Sequence, residues 1–421
     1  MRFQPIHGKA RGSQAGSPSP RSIWTARGAR VPVCARSRAR YDEYMKRAAP
    51  ALAVALFALA ALFGSVLRHP QYTPDGIVYA RFAAHDAGYS ERDSTMMARA
   101  FYARTPLMRE PRYRALVVID PSRAFDQSRV LADRVLYPWV AARFLPVMGF
   151  RALFAVSAAA YLAFGVALFW ELLAFGRPWL AALLACAALA LPLVRNAAAS
   201  DLTDVPALLW WTLALGALLR AVQERRAAWP IVAGVASILL VLTRPTPYLT
   251  FLPAAAAAVL AGSWPLLAAA LAGVAAFGCV AFVTHAFGAS EQLRWIYLHG
   301  NAVHGAITER AWYRGALLDT LRYSAAVTVR SVIPLLANGA LIVALRQPRT
   351  RNTALVLIAA GIACLAAIPF NPVPSAIARV VFLPLVPVFC ASLQCAAAAI
   401  RVPSLPRQRG AAPDTAAIAV D

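Results

Sequence analysis

The sequence predicts an all-α, polytopic membrane protein of about ten transmembrane helices, with interfacial helices in its first outer loop. Three observations lead there. The 421 residues are 60% hydrophobic, with a mean hydropathy of +0.57, whereas soluble domains are about half apolar. The apolar residues come in long runs, many near the roughly 20 residues that a helix needs to cross the hydrocarbon. Strict alternation of apolar and polar residues is missing, which excludes a membrane β-barrel.

The elements follow in order. Residues 1–47 are rich in Arg, Ser, Gly and Pro and lack apolar periodicity, so they cannot bury a core and are expected to be disordered. Met45-Lys46-Arg47 ahead of an apolar run has the form of a native amino terminus with a short basic region, so translation is expected to start at Met45. The first span, Ala48–Leu67, has no small-residue cleavage site and reads as a retained signal anchor. A long polar interval, Arg68–Arg151, comes next. The further spans are Ala152–Phe175, Trp179–Val194, Val205–Val222, Trp229–Thr243, Tyr248–Ala261, Leu266–Phe287, Ser331–Leu345, Thr353–Pro369 and Val380–Ile400. Three of them are short, so nine or eleven spans also fit. Residues 48–400 thus form one transmembrane domain that includes the loops 68–151 and 288–330, and 401–421 is a tail.

Orientation follows from the short loops, where Lys and Arg favour the cytoplasm. With the amino terminus inside, Arg177, Arg225, Arg226, Arg346, Arg349 and Arg351 all fall on the inner side, and both termini are cytoplasmic. Only Lys9 and Lys46 among the 42 basic residues are Lys, and Ala is abundant. That bias suggests a GC-rich bacterial genome and hence the bacterial inner (cytoplasmic) membrane. The net charge of +23 sits in tails and interspan loops rather than on a folded basic face. Nucleic acid is therefore not an expected partner; the lipid bilayer is.

The six cysteines, Cys34, Cys186, Cys279, Cys364, Cys390 and Cys395, show no paired ligand spacing and read mainly as small core fillers. His299 and His304 stand five apart without a Cys or Glu partner at zinc spacing. No Gly-rich phosphate loop, HExxH or GxSxG occurs. No cofactor is expected.

This topology puts Asp75, Asp86, Glu91, Asp93, Asp201, Asp204, His285 and Glu291 on the outer side, so an outward-facing site is the natural expectation. In Tyr72-Thr73-Pro74-Asp75-Gly76, Pro74 stops the preceding structure. Asp75 then either caps the helix that follows or serves as a general base, and the two roles are compatible. Asp201 and Asp204 share one face of a helical turn ahead of Pro206. They cap the next span, orient an acceptor or hold a divalent cation. Arg244 lies in the rigid turn Thr243-Arg244-Pro245-Thr246-Pro247, and Arg379 follows Asn371-Pro372-Val373-Pro374. Each arginine either snorkels to the interface or binds phosphate through its planar fork. Between His285 and Arg330, Trp295, Tyr297, Trp312 and Tyr313 favour an interfacial helix pair.

Taken in order, these motifs resemble the GT-C class of multipass glycosyltransferases, which includes bacterial mannosyl- and arabinosyltransferase-like membrane proteins. Tyr72-Thr-Pro-Asp75-Gly-Ile-Val-Tyr79 occupies the position of the acidic residue near the start of the first outer loop. Asp133-Arg134-Val-Leu-Tyr137-Pro138 resembles the stretch that leads into the second span. Ser200-Asp201 to Asp204-Val-Pro206 resembles the outer acidic turn, and Arg244-Pro245-Thr246 the Arg-Pro-Thr turn. The resemblance covers 48–400. It implies a GT-C-like fold and transfer of a hexosyl or pentosyl group from a polyprenyl-phosphate sugar. The acceptor would be a hydroxyl of a cell-envelope glycan or lipid on the extracytoplasmic face. Asp75 would be the general base. Asp201, Asp204, Tyr79 and Arg134 would bind substrate, and Arg244 and Arg379 would meet the lipid phosphate. Two departures stand out: a single Asp replaces the adjacent acidic pair of some members, and no soluble outer domain follows the last span.

Two other readings compete. One is a transporter or flippase for a lipid-linked or anionic substrate, which would favour internal repeats and charges at the bilayer midplane. No clear repeat is visible, and the charges gather at the span ends, with Asn338 and Gln394 among the few polar residues inside spans. The other is a diverged relative without catalysis.

Overall fold

The computed structural model describes residues 33–114, 131–285, 309–330, 332–370 and 377–400. Among them the chain is helical, and the one β-type pairing is an isolated parallel bridge between Gln71 and Ser200. Met1–Met45 is a contact unit of its own, and the rest forms a second unit, Lys46–Asp421. Val33–Arg47, in the stretch expected to be disordered, are helical and belong to α1 (Val33–Ala61).

A helix stands at each of the ten positions where the sequence suggested a span. Five described helices are long and apolar enough to cross a bilayer: Arg47–Val66, Arg151–Phe175, Asp204–Glu224, Trp264–Thr284 and Ala378–Ala399. A sixth candidate is a pair, Pro178–Ala190 and Pro192–Ala198, bent by 63°. Pro192 explains the break, because it has no N–H for the ladder and its ring clashes with the preceding turn. Ala228–Thr243, Pro247–Ala261 and Leu336–Arg346 are apolar but shorter. Large apolar side chains such as Trp264, Val259 and Phe282 are exposed, as lipid contact would demand.

In chain order, α2 (Pro74–Asp86), α3 (Glu91–Tyr102) and α4 (Leu136–Met148) belong to the first long loop. α5 (Arg151–Leu172), α6 (Pro178–Ala190), α7 (Pro192–Ala198), α8 (Asp204–Glu224), α9 (Ala228–Thr243), α10 (Pro247–Ala261) and α11 (Trp264–Thr284) follow. The last four are α12 (Glu309–Arg330), α13 (Val332–Arg346), α14 (Pro348–Leu365) and α15 (Leu383–Ala399).

Helix α8 is the hub, packing on α5, α9, α10, α14 and α15. Small residues permit this. A side chain on Gly216 of α8 would crowd Glu171 of α5. Apolar lipid gives no hydrophobic drive between helices, so such close approach supplies dispersion contact instead.

The loop helices have a second core. Ile77, Val78, Tyr79, Ala83, Tyr102, Tyr137 and Leu145 pack with Ala152 and Leu153 at the start of α5 and with Leu202 before α8. Tyr72, Phe101 and Tyr102 add edge-on and tilted ring contacts with centroids 5.2 to 6.1 Å apart. The loop is therefore seated on the ends of α5 and α8, where the candidate residues lie.

Candidate functional site

The site begins with the turn that opens α2. Thr73 is extended (φ −123°, ψ 158°), and its hydroxyl oxygen accepts the Gly76 N–H at 3.1 Å. Thr73 is thus the N-cap, Pro74 fills the first helical position, and Asp75 has no capping duty. The Asp75 side chain keeps 27% of its surface exposed.

Asp201 lies behind this turn and is fully buried. Its Oδ1 accepts the Thr73 N–H at 3.0 Å and the Thr73 hydroxyl at 2.7 Å, and its Oδ2 accepts the Tyr102 hydroxyl. Burial pushes its carboxyl up to about 7 despite those donors, and pushes the Tyr102 phenol up as well. Gly76 makes room for this carboxylate, because a Cβ there would collide with Asp201 and with the Tyr102 hydroxyl. Next to it, Tyr137 donates to the Leu153 carbonyl at 2.9 Å, and Ser157 donates to the Leu202 carbonyl at 3.2 Å, fixing the turn ahead of α8.

Asp204 opens α8, fully buried, and each of its oxygens takes one arginine. Arg244 donates from Nη1 to Oδ1. Arg379 donates from Nε to Oδ2 at 2.6 Å. Arg244 sits in extended backbone (φ −153°, ψ 125°) at the end of α9, where Pro245 and Pro247 hold the turn into α10. Arg379 sits in a π-helical turn, Ala378–Phe382, that leads into α15. Such turns often mark functional places in helices. The same guanidinium reaches back, with Nη2 3.8 Å from Asp75 Oδ2. That distance is a loose ion pair rather than a hydrogen bond.

Arg134, in the turn before α4, is nearly buried and donates to the Tyr79 hydroxyl at 2.5 Å. Tyr79 is wholly buried, and burial raises its phenol to about 12. Asp75 and Asp133 act on the Arg134 charge, which in turn acts on Asp204 and Arg244, so Arg134 belongs to the same field. Three arginines are set against three carboxylates, Asp75, Asp133 and Asp204, so the field balances in charge. Beneath the Asp204–Arg244–Arg379 group lies a pocket of about 20 Å³, room for about one water molecule, against Trp211 and Leu249. The approach is therefore from the Asp75 side, where Arg379 keeps 36% of its side-chain surface.

The fold thus gathers Asp75, Asp204, Arg244 and Arg379, with Arg134 and Tyr79 adjoining. Asp201 stands apart from the ion pairs, holds Thr73 and Tyr102, and has no exposed surface. His299, His304, Trp295 and Tyr297 lie outside the described residues. Among the described residues, no three His, Cys, Asp or Glu side chains group as a metal site. Sequence reading quoted Thr73 and Gly76 in the motif around Asp75 without their tie to Asp201, and missed Tyr102. Gly76 does carry a signal: glycine in a first helical turn is costly unless something must approach the backbone closely. Tyr102 carries none.

Comparison with protein-family models, with characterised proteins and with solved structures finds no match. The functional reading therefore rests on this geometry and on the order of the motifs.

Proposed function

We propose that the chain is a membrane glycosyltransferase of GT-C-like architecture, its helices making about ten spans with both termini cytoplasmic. It moves a sugar from a polyprenyl-phosphate donor to an acceptor hydroxyl on the extracytoplasmic face of a bacterial inner membrane. The observation that carries the reading is the convergence of Asp75, Asp204, Arg244 and Arg379 from four distant stretches of chain, with both arginines on the buried Asp204 carboxylate and Asp75 against Arg379.

In this reading the acceptor hydroxyl binds beside Asp75, whose carboxylate takes its proton as the oxygen attacks C1 of the sugar. The bond from C1 to the phosphate oxygen breaks, and its electron pair leaves with the polyprenyl phosphate. Arg379 and Arg244 stabilise the charge that gathers there, while Asp204 fixes both guanidinium groups in place. The loose 3.8 Å contact to Arg379 leaves the Asp75 oxygens able to accept that proton. Asp201 and Tyr79 act from below, by holding the α2 turn and Arg134. The test is Asp75→Asn in purified protein given prenyl-phosphate sugars and acceptor lipids. Transfer should fall at least a hundredfold with unchanged unfolding temperature. Full retention of transfer removes Asp75 as the base.

A second reading, a flippase or transporter, draws on two features. The α6–α7 pair is sharply broken, and Glu171 is buried in α5 with neither carboxylate oxygen hydrogen-bonded. Broken helices and buried acids line transport routes. Passage of an intact donor across a vesicle membrane, with no sugar released, would favour it.

A further inference from the structure

A larger cavity lies beside the ion network and has no role in the steps above. It measures about 480 Å³ and opens between α2, α4 and the adjoining ends of α9 and α11. Small-molecule sites span about 300 to 1,000 Å³. Phe82, His85 and Asp86 line it from α2, Arg134 and Trp139 from the α4 side, and Leu242 from α9.

Resting on the transferase reading, we propose that this cavity seats the sugar ring of the donor. A sugar ring presents two kinds of surface. Its hydroxyls are donors that a carboxylate can accept in pairs, and its C–H face is apolar and lies well against an aromatic ring. The cavity offers both, with Phe82, His85 and Asp86 on α2 and Trp139 on α4. Arg143 stands 4.6 Å over the Trp139 ring and holds that indole in place.

The charge pattern orients the ligand. Arg134 is the one guanidinium among the lining residues, so the anionic end belongs at its wall. That guanidinium spends Nη1 on Tyr79, while its buried Nε has no hydrogen-bond partner. An unpaired buried donor is costly unless a ligand completes it. Arg134 also shares its electrostatic field with Asp75 and Asp204. A phosphate on Arg134 therefore places the first sugar carbon toward the network and the rest of the ring toward Asp86 and Trp139.

The experiment uses the full chain in nanodiscs and three probes: citronellyl phosphate, and the same lipid carrying mannose or arabinose. Binding is read by isothermal titration. At least one sugar-bearing probe should bind tenfold or more tightly than citronellyl phosphate. Asp86→Asn and Trp139→Leu should each abolish most of that difference and leave citronellyl phosphate binding unchanged, which also reports that the variants are folded. Arg134→Gln should weaken all three probes. The proposal is overturned if the wild type does not discriminate, or if both variants discriminate as it does. A wild type that discriminates but never transfers sugar sinks the transferase reading and keeps the cavity. Transfer with discrimination intact in both variants does the reverse.

Discussion

Replacing Asp204 tests whether the ion network is a unit. The carboxylate has no exposed surface and binds two arginines, one through each oxygen. Arg244 is 13% exposed, so its charge-assisted bond counts nearly in full, about 1.5 to 3 kcal/mol. Arg379 is 36% exposed, so solvent screening reduces its share to about 0.5 to 1 kcal/mol. Asp204→Asn should therefore cost about 2 to 4 kcal/mol, close to the range for breaking a buried pair by losing one partner. Unfolding by SDS in mixed micelles, followed by tryptophan fluorescence, measures it. Arg244→Met closes a double-mutant cycle, and the two changes should couple by about 0.5 to 3 kcal/mol, because either one alone already removes the bond they share. A cost below about 1 kcal/mol, or strict additivity with Arg244→Met, would refute the network as described.

Gly76→Ala should destabilise the protein by about 1 to 3 kcal/mol, since the new methyl must push aside the Asp201 carboxylate; the same unfolding assay reads it. The Asp201 carboxyl is raised by burial from 3.8 to about 7, so the folded chain keeps a proton there that the unfolded chain has released. Its contribution to stability is full near pH 4 and below and is lost as pH rises through about 7. Melting temperature should therefore fall more steeply between pH 5 and pH 8 in the wild type than in Asp201→Asn, and equal slopes would contradict the buried acid. Tyr102→Phe removes the hydroxyl donor to Asp201 and should cost about 1.5 to 3 kcal/mol at pH 8, where the carboxylate is charged.

Much of the architecture was legible in the residues. The apolar runs correspond to helices within a few residues of their expected ends, because a span must satisfy its own backbone and so declares itself by composition. Span number was less legible. Ala228–Thr243 and Pro247–Ala261 are short, and Pro192 bends what reads as one run into two helices. Asp75, Asp204, Arg244 and Arg379 stood out as charges at span ends, but their pairing did not, since residues 204 and 379 meet through packing of α8 against α15. Asp201 and Asp204 looked alike at three residues' separation. Their environments divide them: one accepts from neutral donors within the loop core, the other from two guanidinium groups. The capping question at Asp75 could be settled only by the backbone, which gives that task to Thr73.

The central claim is that sugar transfer occurs where Asp75 faces Arg379 and Asp204. The most direct measurement is mass spectrometry of a defined prenyl-phosphate sugar incubated with the protein in proteoliposomes containing acceptor lipid. The account predicts that donor is consumed, that free prenyl phosphate appears in equal amount with a new glycoside, and that Asp75→Asn yields neither. Donor that stays intact, or that only changes leaflet, would contradict it.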